Sequence, residues 1–176
     1  ARYVAMNRGT LSFPFKRYQI QNAWRADKPQ RGRYREFTQC DADVVGSKSL
    51  LNEIDLIQIY KNVFAQLNMP VEICINNRKI LAALADLCGG QSRLTDITIA
   101  IDKLDKTSLD KVLEELSNKQ IDEQSMMVIR QYLSLKTSDG SNEDTLAKLS
   151  AMFADSDSGQ QGISELSYLA NHFNEI

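Results

Sequence analysis

Hydrophobic and polar residues alternate near the start of the chain with the two-residue period of a β-strand. The alternation runs over 15–26 and resumes over 34–45, after a loop at 27–33 that contains Pro29 and Gly32. Proline and glycine disrupt strand pairing and allow the backbone to reverse direction. The pattern therefore predicts two long arms that fold back on each other as an antiparallel hairpin.

Beyond the hairpin, the apolar residues take the spacing of an α-helix. A helix is predicted over 50–67 and is expected to pack on the apolar side of the hairpin, and the apolar stretch 71–75 is expected to add a buried strand. Later helical segments are predicted at 78–87, 94–104, 108–118, 121–135, 145–153 and 163–174. The sequence therefore predicts an α+β fold, with a sheet-containing domain over 1–76 and an all-helical domain over 77–176.

The two faces of the hairpin differ in chemistry, because residues two apart in a strand share a face. One face carries Tyr18, Ile20 and Trp24 and is the better candidate for the core. The other face gathers guanidinium, amide and carboxylate groups around one aromatic ring: Arg17, Gln19, Gln21, Arg25 and Asp27 on the first arm, with Arg33, Arg35, Phe37, Gln39, Asp41 and Asp43 on the second. Such a face suits a ligand with a phosphate, a flat ring and an amine. A solvated face of an amphipathic ribbon is the alternative.

Charge favours the ligand-binding interpretation of this region. Residues 1–48 carry ten Lys and Arg against four Asp and Glu, a net +6, whereas residues 49–176 carry eleven against nineteen, a net −8. Phosphate-bearing ligands are therefore directed to the first region. Three cysteines without CxxC spacing indicate reduced thiols in a cytosolic protein. No apolar run approaches the length of a membrane span.

The residues of the hairpin carry a family resemblance. Trp24-Arg25-Ala26-Asp27, followed by the loop and Arg33-Tyr34-Arg35-Glu36-Phe37, resembles motif 2 of the class II aminoacyl-tRNA synthetases. The longer string WRADKPQRGRYREFTQCDADVVG resembles the histidyl-tRNA synthetase family in particular. Residues 76–106 resemble the insertion domain of the eukaryote-like type, which lies over the tRNA acceptor arm in that family. The resemblance makes residues 1–76 part of a catalytic core and 77–176 the insertion domain.

The resemblance implies ATP-binding roles for four residues. Arg25 would hold the α-phosphate of ATP and the amino acid carboxylate, and is the residue expected to be catalytic. Asp27, at a position where the family usually has glutamate, would bind the adenine amino group. Arg33 would lie near the outer phosphates, and Phe37 would stack on adenine.

Further roles concern the amino acid and the tRNA. By the same resemblance, Gln39 and Asp43 would bind histidine near its α-amino group. The loop tip would meet the acceptor end of tRNA(His) through Pro29, Gln30, Arg31 and Gly32. The implied activity is that of a histidine–tRNA ligase, a cytoplasmic homodimer that uses ATP and Mg²⁺ and has no membrane partner.

Several family features are missing from the sequence, namely motif 1, motif 3 and an anticodon-binding domain. We therefore expect the chain to be a fragment of a longer protein and to be inactive by itself. His172 is the only histidine, and no protein metal site is predicted. Two alternatives stay open: a synthetase-like paralogue with a regulatory or tRNA-sensing role, and an RNA-binding module that clamps phosphates with its arginine-rich loop.

Overall fold

The computed structural model of this chain describes residues 1–104, 107–119, 121–136 and 141–174. The chain divides into two compact units, Ala1–Val71 and Glu72–Ile176, and the first of them holds the strands. An α+β fold is therefore confirmed. The division follows Val71, a few residues before the predicted domain boundary, which stays a prediction.

The first unit is built around the hairpin. Helix α1 (Arg2–Met6) precedes strands β1 (Phe15–Trp24) and β2 (Glu36–Val45), and helix α2 (Leu51–Gln66) follows them. The strands pair antiparallel along their whole length, from Phe15 opposite Val45 to Trp24 opposite Glu36. The predicted hairpin is thus confirmed, and each end of helix α2 lies within one residue of the bounds predicted for it, 50–67.

A tight turn closes the hairpin at its tip. Gln30 and Arg33 donate backbone hydrogen bonds to each other's carbonyl oxygens, at 3.1 and 2.9 Å. Gly32 between them has a φ of 76°, which a side chain would disfavour. The turn therefore depends on glycine at this position.

Two expectations for the predicted sheet-containing domain, 1–76, are wrong. Residues 71–75 form no strand, and Val71, Ile73 and Ile75 are 46, 39 and 43% exposed, because no strand among the described residues lies beside them to complete a ladder. The apolar side of the hairpin is not a core within this unit either: Tyr18 and Trp24 are 80 and 70% exposed.

Helix α2 leaves the apolar side of the hairpin uncovered. Ile54 is its buried residue, at 7% exposure, whereas Leu51, Ile59 and Leu67 are 53, 46 and 58% exposed. Its apolar residues point in several directions, which is typical of a helix buried on many sides in a larger protein. A polar contact ties the helix to the hairpin, since Lys16 Nζ lies 2.5 Å from Asp55 Oδ2.

The secondary-structure elements of the second unit are all helices in the part of the chain that the structure describes. It contains α3 (Arg78–Leu87), a 3₁₀ turn (Gln91–Arg93), α4 (Leu94–Ile101), α5 (Leu109–Asn118), α6 (Glu123–Lys136), α7 (Asn142–Met152) and α8 (Asp157–Asn174). Helix α3 contacts α4, α6 and α8, so it lies at the centre of the unit. One core cluster of buried apolar side chains joins α3 to the other helices, with members on α3, α4, α5 and α6 and one directly after α7: Ile80, Leu84, Ile97, Leu116, Ile129 and Phe153.

Helix α8 begins earlier than the sequence predicts. Residues 154–162 contain two glycines, but the helix already starts at Asp157, where Ser156 Oγ accepts a hydrogen bond from the Gly159 N–H at 3.1 Å. The glycines allow close packing: a Cβ on Gly159 would lie 2.7 Å from the Phe153 Cβ, and one on Gly162 would lie 3.0 Å from Ile80 Cγ1. They serve helix–helix contact here and not a loop.

An ion pair joins the two ends of this helical unit. Lys79 donates a hydrogen bond to Glu165, and the Asn77 side chain donates another at 2.7 Å. The bond from Lys79 is the main reason that the pKa of Glu165 lies below its ordinary value, and Asn77 adds to the effect. The ionised carboxylate therefore stabilises the folded state.

Acid is expected to remove this stabilisation. Because the pKa of Glu165 is lower in the folded chain than in the unfolded chain, its contribution is complete above the ordinary value of 4.5 and is lost as the pH falls through the folded-state pKa. Urea unfolding followed by circular dichroism should show a stability gap between wild type and Glu165→Gln that narrows in acid. Glu114→Gln, at an exposed position, is the control. A gap that is the same at all pH values would contradict the prediction.

None of the helices in the described ranges combines the length and apolar character needed to cross a bilayer.

Candidate functional site

The register of the hairpin sets the candidate residues on one face. Arg17, Gln19, Gln21 and Ala23 of β1 lie directly opposite Asp43, Asp41, Gln39 and Phe37 of β2. Residues that are directly opposite in an antiparallel pair project to the same side. We call this side, with Arg25 and Arg35 at its loop end, the polar face. It is more covered than its counterpart, because Arg17, Gln19, Phe37, Gln39 and Asp41 are all partly buried.

Arg25 and Phe37 meet at the loop end of the polar face. The Arg25 Cζ lies 4.9 Å from the centroid of the Phe37 ring, which is the geometry of a cation–π contact. The backbone fixes this placement, since the Arg25 N–H donates a hydrogen bond to the Arg35 carbonyl oxygen at 2.8 Å. Arg25 is exposed and Phe37 is half-buried. The structure thus brings together a guanidinium and an aromatic ring on one open surface.

Asp27 and Arg33 contact each other where the loop leaves the strands. The Arg33 Nε atom lies 3.6 Å from Asp27 Oδ2, and Arg35 Nε donates a hydrogen bond to the Asp27 carbonyl oxygen at 3.2 Å. The four side chains of the predicted ATP group therefore form two contacting pairs.

Amide and carboxylate groups occupy the other end of the polar face. Gln39 Nε2 donates a hydrogen bond to Asp41 Oδ1 at 2.6 Å, so the Gln39 Oε1 atom is the part of this amide that can accept from a ligand. Asp43 accepts from Arg17 Nε at 2.6 Å. Gln39 and Asp43 are four residues apart on one strand, which separates their Cα atoms by about 13 Å. They frame a stretch of the face and do not converge on one point.

Arg17 and Asp41 are the residues that sequence reasoning left without a role. Both were expected on the polar face, but their contacts with Asp43 and Gln39 follow from the register and from rotamers. The Arg17–Asp43 pair could have been predicted from the cross-strand register. The turn residues alone did not determine that register.

The loop tip projects away from the ladder. Its residues are all exposed: Pro29, Gln30, Arg31 and Gly32. The polar face therefore grades from basic residues near this tip to acidic residues at its far end. Among the residues that the structure describes, no group of three or more His, Cys, Asp and Glu side chains could hold a metal ion. The expected absence of a protein metal site stays a prediction, and His172 is half-buried in α8.

Comparison with known proteins accords with this geometry. A family model described as histidyl-tRNA synthetase matches residues 1–176, the whole chain. Histidine–tRNA ligase of Porphyromonas gingivalis is 50% identical over 100% of this chain and 38% of the relative's length. The protein of the same name from Flavobacterium johnsoniae is 45% identical over 100% of this chain and 37% of its own length.

Solved structures give a similar result. The crystal structure of histidyl-tRNA synthetase from Nostoc sp. PCC 7120 superposes with a TM-score of 0.82 at 32% identity, over 97% of this chain and 39% of that one. A Bacillus halodurans structure, titled as an ATP phosphoribosyltransferase regulatory subunit/histidyl-tRNA synthetase, has a TM-score of 0.75 at 16% identity, over 96% of this chain and 42% of that one, and shares the fold.

The hairpin and these matches define the class of protein, that of the aminoacyl-tRNA synthetases. Within that class, the chain belongs to the histidyl-tRNA synthetase family. It spans about 38% of the length of the curated relatives that it matches. The eukaryote-like type stays a prediction, because the matches carry the family name without a subtype.

Proposed function

We propose that this chain is the part of a histidine–tRNA ligase that holds ATP and histidine during formation of histidyl-adenylate. The observation that carries the proposal is the Arg25 guanidinium over the Phe37 ring at one end of the polar face, with amide and carboxylate acceptors at the other end. The guanidinium and the aromatic ring suit the phosphate and the base of a nucleotide. The amide and carboxylate acceptors suit the α-amine and the imidazole of histidine.

Arg25 is given the catalytic role in this proposal. A carboxylate oxygen of histidine attacks the α-phosphorus of ATP, the bond to the β-phosphate breaks, and pyrophosphate leaves with the electron pair. Negative charge on the α-phosphate oxygens is highest in the transition state. A guanidinium can donate two parallel hydrogen bonds to those oxygens without any proton transfer. Arg25 is exposed and is therefore able to move from Phe37 onto a phosphate.

Phe37, Asp27 and Arg33 are proposed to hold the rest of the nucleotide. The Phe37 ring would stack on adenine, as aromatic side chains do with bases. Asp27 and Arg33 are already paired at 3.6 Å, so binding would exchange their mutual contact for the adenine amino group and the outer phosphates. Mg²⁺ would supply charge neutralisation at the phosphates, and the described residues of this chain offer no acidic cluster to which we assign it.

Gln39 and Asp43 are proposed to bind histidine. Both can accept a hydrogen bond from a ligand, Gln39 through its Oε1 atom and Asp43 through its carboxylate, while one Nε2 hydrogen of Gln39 is donated to Asp41. Acceptors suit the N–H groups of a substrate amine and imidazole. Their spacing along the strand lets them contact different parts of one histidine in the region of its α-amino group.

The remaining partners of the enzyme are also proposals. The exposed tip Pro29–Gly32 would meet the acceptor end of tRNA(His), for which Arg31 supplies a positive charge. Homodimer formation and a cytoplasmic location are proposed by analogy with the family. The exposed apolar side of the hairpin, with Tyr18 at 80% and Trp24 at 70%, supports a larger protein in which other segments cover it.

The ligase is favoured over the two alternatives considered above. Identity of 45 and 50% to proteins named histidine–tRNA ligase supports an enzyme over a regulatory paralogue. The acidic half of the polar face counts against a general phosphate-clamping module, because Asp41 and Asp43 would repel a nucleic acid backbone.

Histidine-dependent ATP–pyrophosphate exchange tests the proposal directly. The full-length protein should catalyse exchange with histidine and not with the other amino acids, and it should charge tRNA(His). The 176-residue chain should show no exchange, because it lacks motif 3 and so part of the ATP site. A full-length protein that binds tRNA but does not exchange pyrophosphate would contradict the proposal and favour the paralogue.

A further inference from the structure

Arg17 forms a cross-strand pair with Asp43 at the acidic end of the polar face. The two residues are directly opposite in the ladder, and Arg17 Nε donates a hydrogen bond to Asp43 Oδ2 at 2.6 Å. Their side chains are 35 and 50% exposed, so the pair stands at the surface of the face and not beneath it. One carboxylate oxygen of Asp43 is thus engaged by Arg17, and Oδ1 is the second acceptor of that group.

A third side chain braces the same guanidinium. Arg17 Nη1 donates a hydrogen bond to Gln19 Oε1 at 2.5 Å, two residues along the same strand. Arg17 is therefore held at two of its nitrogen atoms, by Asp43 and by Gln19. A planar guanidinium with two fixed bonds has a defined orientation, unlike a lysine ammonium, which acts as a point charge. The arrangement can set the direction of the Asp43 carboxylate.

The neighbouring cation has a separate task. Lys16 projects to the other side of β1 and pairs with Asp55 of α2, so it has no contact with the polar face. These two adjacent basic residues have different contacts because successive side chains of a strand project to opposite sides. Lys16 joins secondary-structure elements, whereas Arg17 contacts a residue that the proposed function assigns to histidine.

We propose that Arg17 is a positioning residue for the histidine site, acting through Asp43. By holding Oδ2, it presents Oδ1 at a fixed place to an N–H group of the bound amino acid. It also offsets the negative charge of Asp43, so the site selects a correctly placed N–H donor over any cation. This inference rests on the proposed function, and it adds a residue to which neither the motif nor the family resemblance gave a role.

Four variants of the full-length protein test this role in histidine-dependent pyrophosphate exchange. In Arg17→Ala, the KM for histidine should rise roughly tenfold, the size expected for loss of a charge-assisted hydrogen bond, while the KM for ATP stays within about twofold of wild type. Arg17→Lys should have a KM for histidine between those of wild type and Arg17→Ala. Lys16→Ala is the matched control, because it removes the adjacent positive charge from the opposite side and should leave both KM values unchanged.

The charge swap tests whether the cross-strand ion pair, without the carboxylate at position 43, is enough for histidine binding. The double variant Arg17→Asp/Asp43→Arg can re-form the cross-strand ion pair and should recover the unfolding temperature lost in Arg17→Ala. It should not recover the KM for histidine, because a cation now stands where the substrate needs an acceptor. Arg17→Lys keeps both the positive charge and Asp43, so its KM for histidine also decides the matter if Arg17→Ala folds poorly.

The outcomes separate this inference from the proposed function. An active wild type with an Arg17→Ala KM for histidine equal to that of Lys16→Ala would overturn the positioning role alone. A swap that restores histidine binding together with stability would show that histidine does not need the Asp43 carboxylate, and it would overturn the proposed role of Asp43 together with that of Arg17. A wild-type protein without histidine-dependent exchange would overturn the proposed function, and the role of Arg17 with it.

Discussion

Replacing Arg25 with alanine in the full-length protein is expected to lower the kcat of histidine-dependent pyrophosphate exchange by about 10²–10³-fold, the usual cost of removing one donor that stabilises transition-state charge. The effect should fall on kcat more than on either KM, because the charge on the α-phosphate oxygens is highest in the transition state. The measurement is steady-state exchange at saturating ATP and histidine. Arg25 is exposed, so the substitution creates no cavity and the protein should stay folded.

Two further variants make this prediction specific. Arg25→Lys keeps the charge but loses the bidentate fork, so it should recover only part of the rate. Lys28→Ala removes an exposed positive charge three residues along, at a position without an assigned contact, and should exchange pyrophosphate like wild type. Exchange by Arg25→Ala within about threefold of wild type would show that the transition-state charge is stabilised elsewhere.

Period and local signals were enough to predict the hairpin and most of the helices of this fold. Alternation placed the two arms over 15–26 and 34–45, and the strands are Phe15–Trp24 and Glu36–Val45. The helix predicted over 78–87 is observed as Arg78–Leu87. Such elements are predictable because one face of each is apolar and the repeat of that face identifies the element.

The register of the hairpin could not be predicted in the same way, although the site depends on it. Continued regularly from the Gln30–Arg33 pair at the tip, the ladder would set Arg25 opposite Thr38 and would turn Phe37 to the other side. The observed ladder sets Ala23 opposite Phe37, with the Arg25 N–H bonded to Arg35. The irregular segment 26–29, which contains Pro29, absorbs the difference. A slip by an odd number of residues inverts a face, so this short segment determines whether the site exists.

The burial of apolar side chains was the other property that could not be predicted from the sequence. The side with Tyr18, Ile20 and Trp24 has the composition of a core, yet these residues are 80, 66 and 70% exposed. Composition reports what a surface would gain by burial but not which segment covers it. At Gly159 and Gly162 the composition is that of an exposed loop, yet both residues lie in a helix that packs tightly against Phe153 and Ile80. In both cases a partner distant in sequence decides the outcome.

The part of the polar face on the second arm, in contrast, could be assigned from the sequence because strand alternation is local. Phe37 shares a parity with Gln39 and Asp43, and the strand period alone aligns residues of one parity on one arm, whereas the register brings Arg25 to the same side. The structure adds the contacts that parity cannot give: which oxygen of Asp43 is held, and which atom of the Gln39 amide is left to accept. Those contacts come from rotamers and from the opposite strand.

Substituting Phe37 with leucine separates nucleotide stacking from the other functions of this face. Stacking of a base on an aromatic ring is worth about 1–3 kcal/mol, so the KM for ATP should rise by about 5- to 150-fold in Phe37→Leu. The KM for histidine should change little, because Gln39 and Asp43 keep their own partners on the strands. Leucine preserves an apolar, half-buried side chain, which limits the loss of stability.

The design of the control follows from the two sides of the hairpin. Tyr34→Leu removes an aromatic ring that is 65% exposed and has the parity of the opposite side, so it should leave the KM for ATP unchanged. Phe37→Tyr retains the ring and should bind ATP almost as wild type does. Arg25 also loses its cation–π contact in Phe37→Leu, worth about 0.5–1 kcal/mol at an exposed site, and this should appear as a smaller decrease in kcat. Equal KM values for ATP in Phe37→Leu and Tyr34→Leu would mean that adenine stacks on neither ring, and the nucleotide would then have to be placed elsewhere on the polar face.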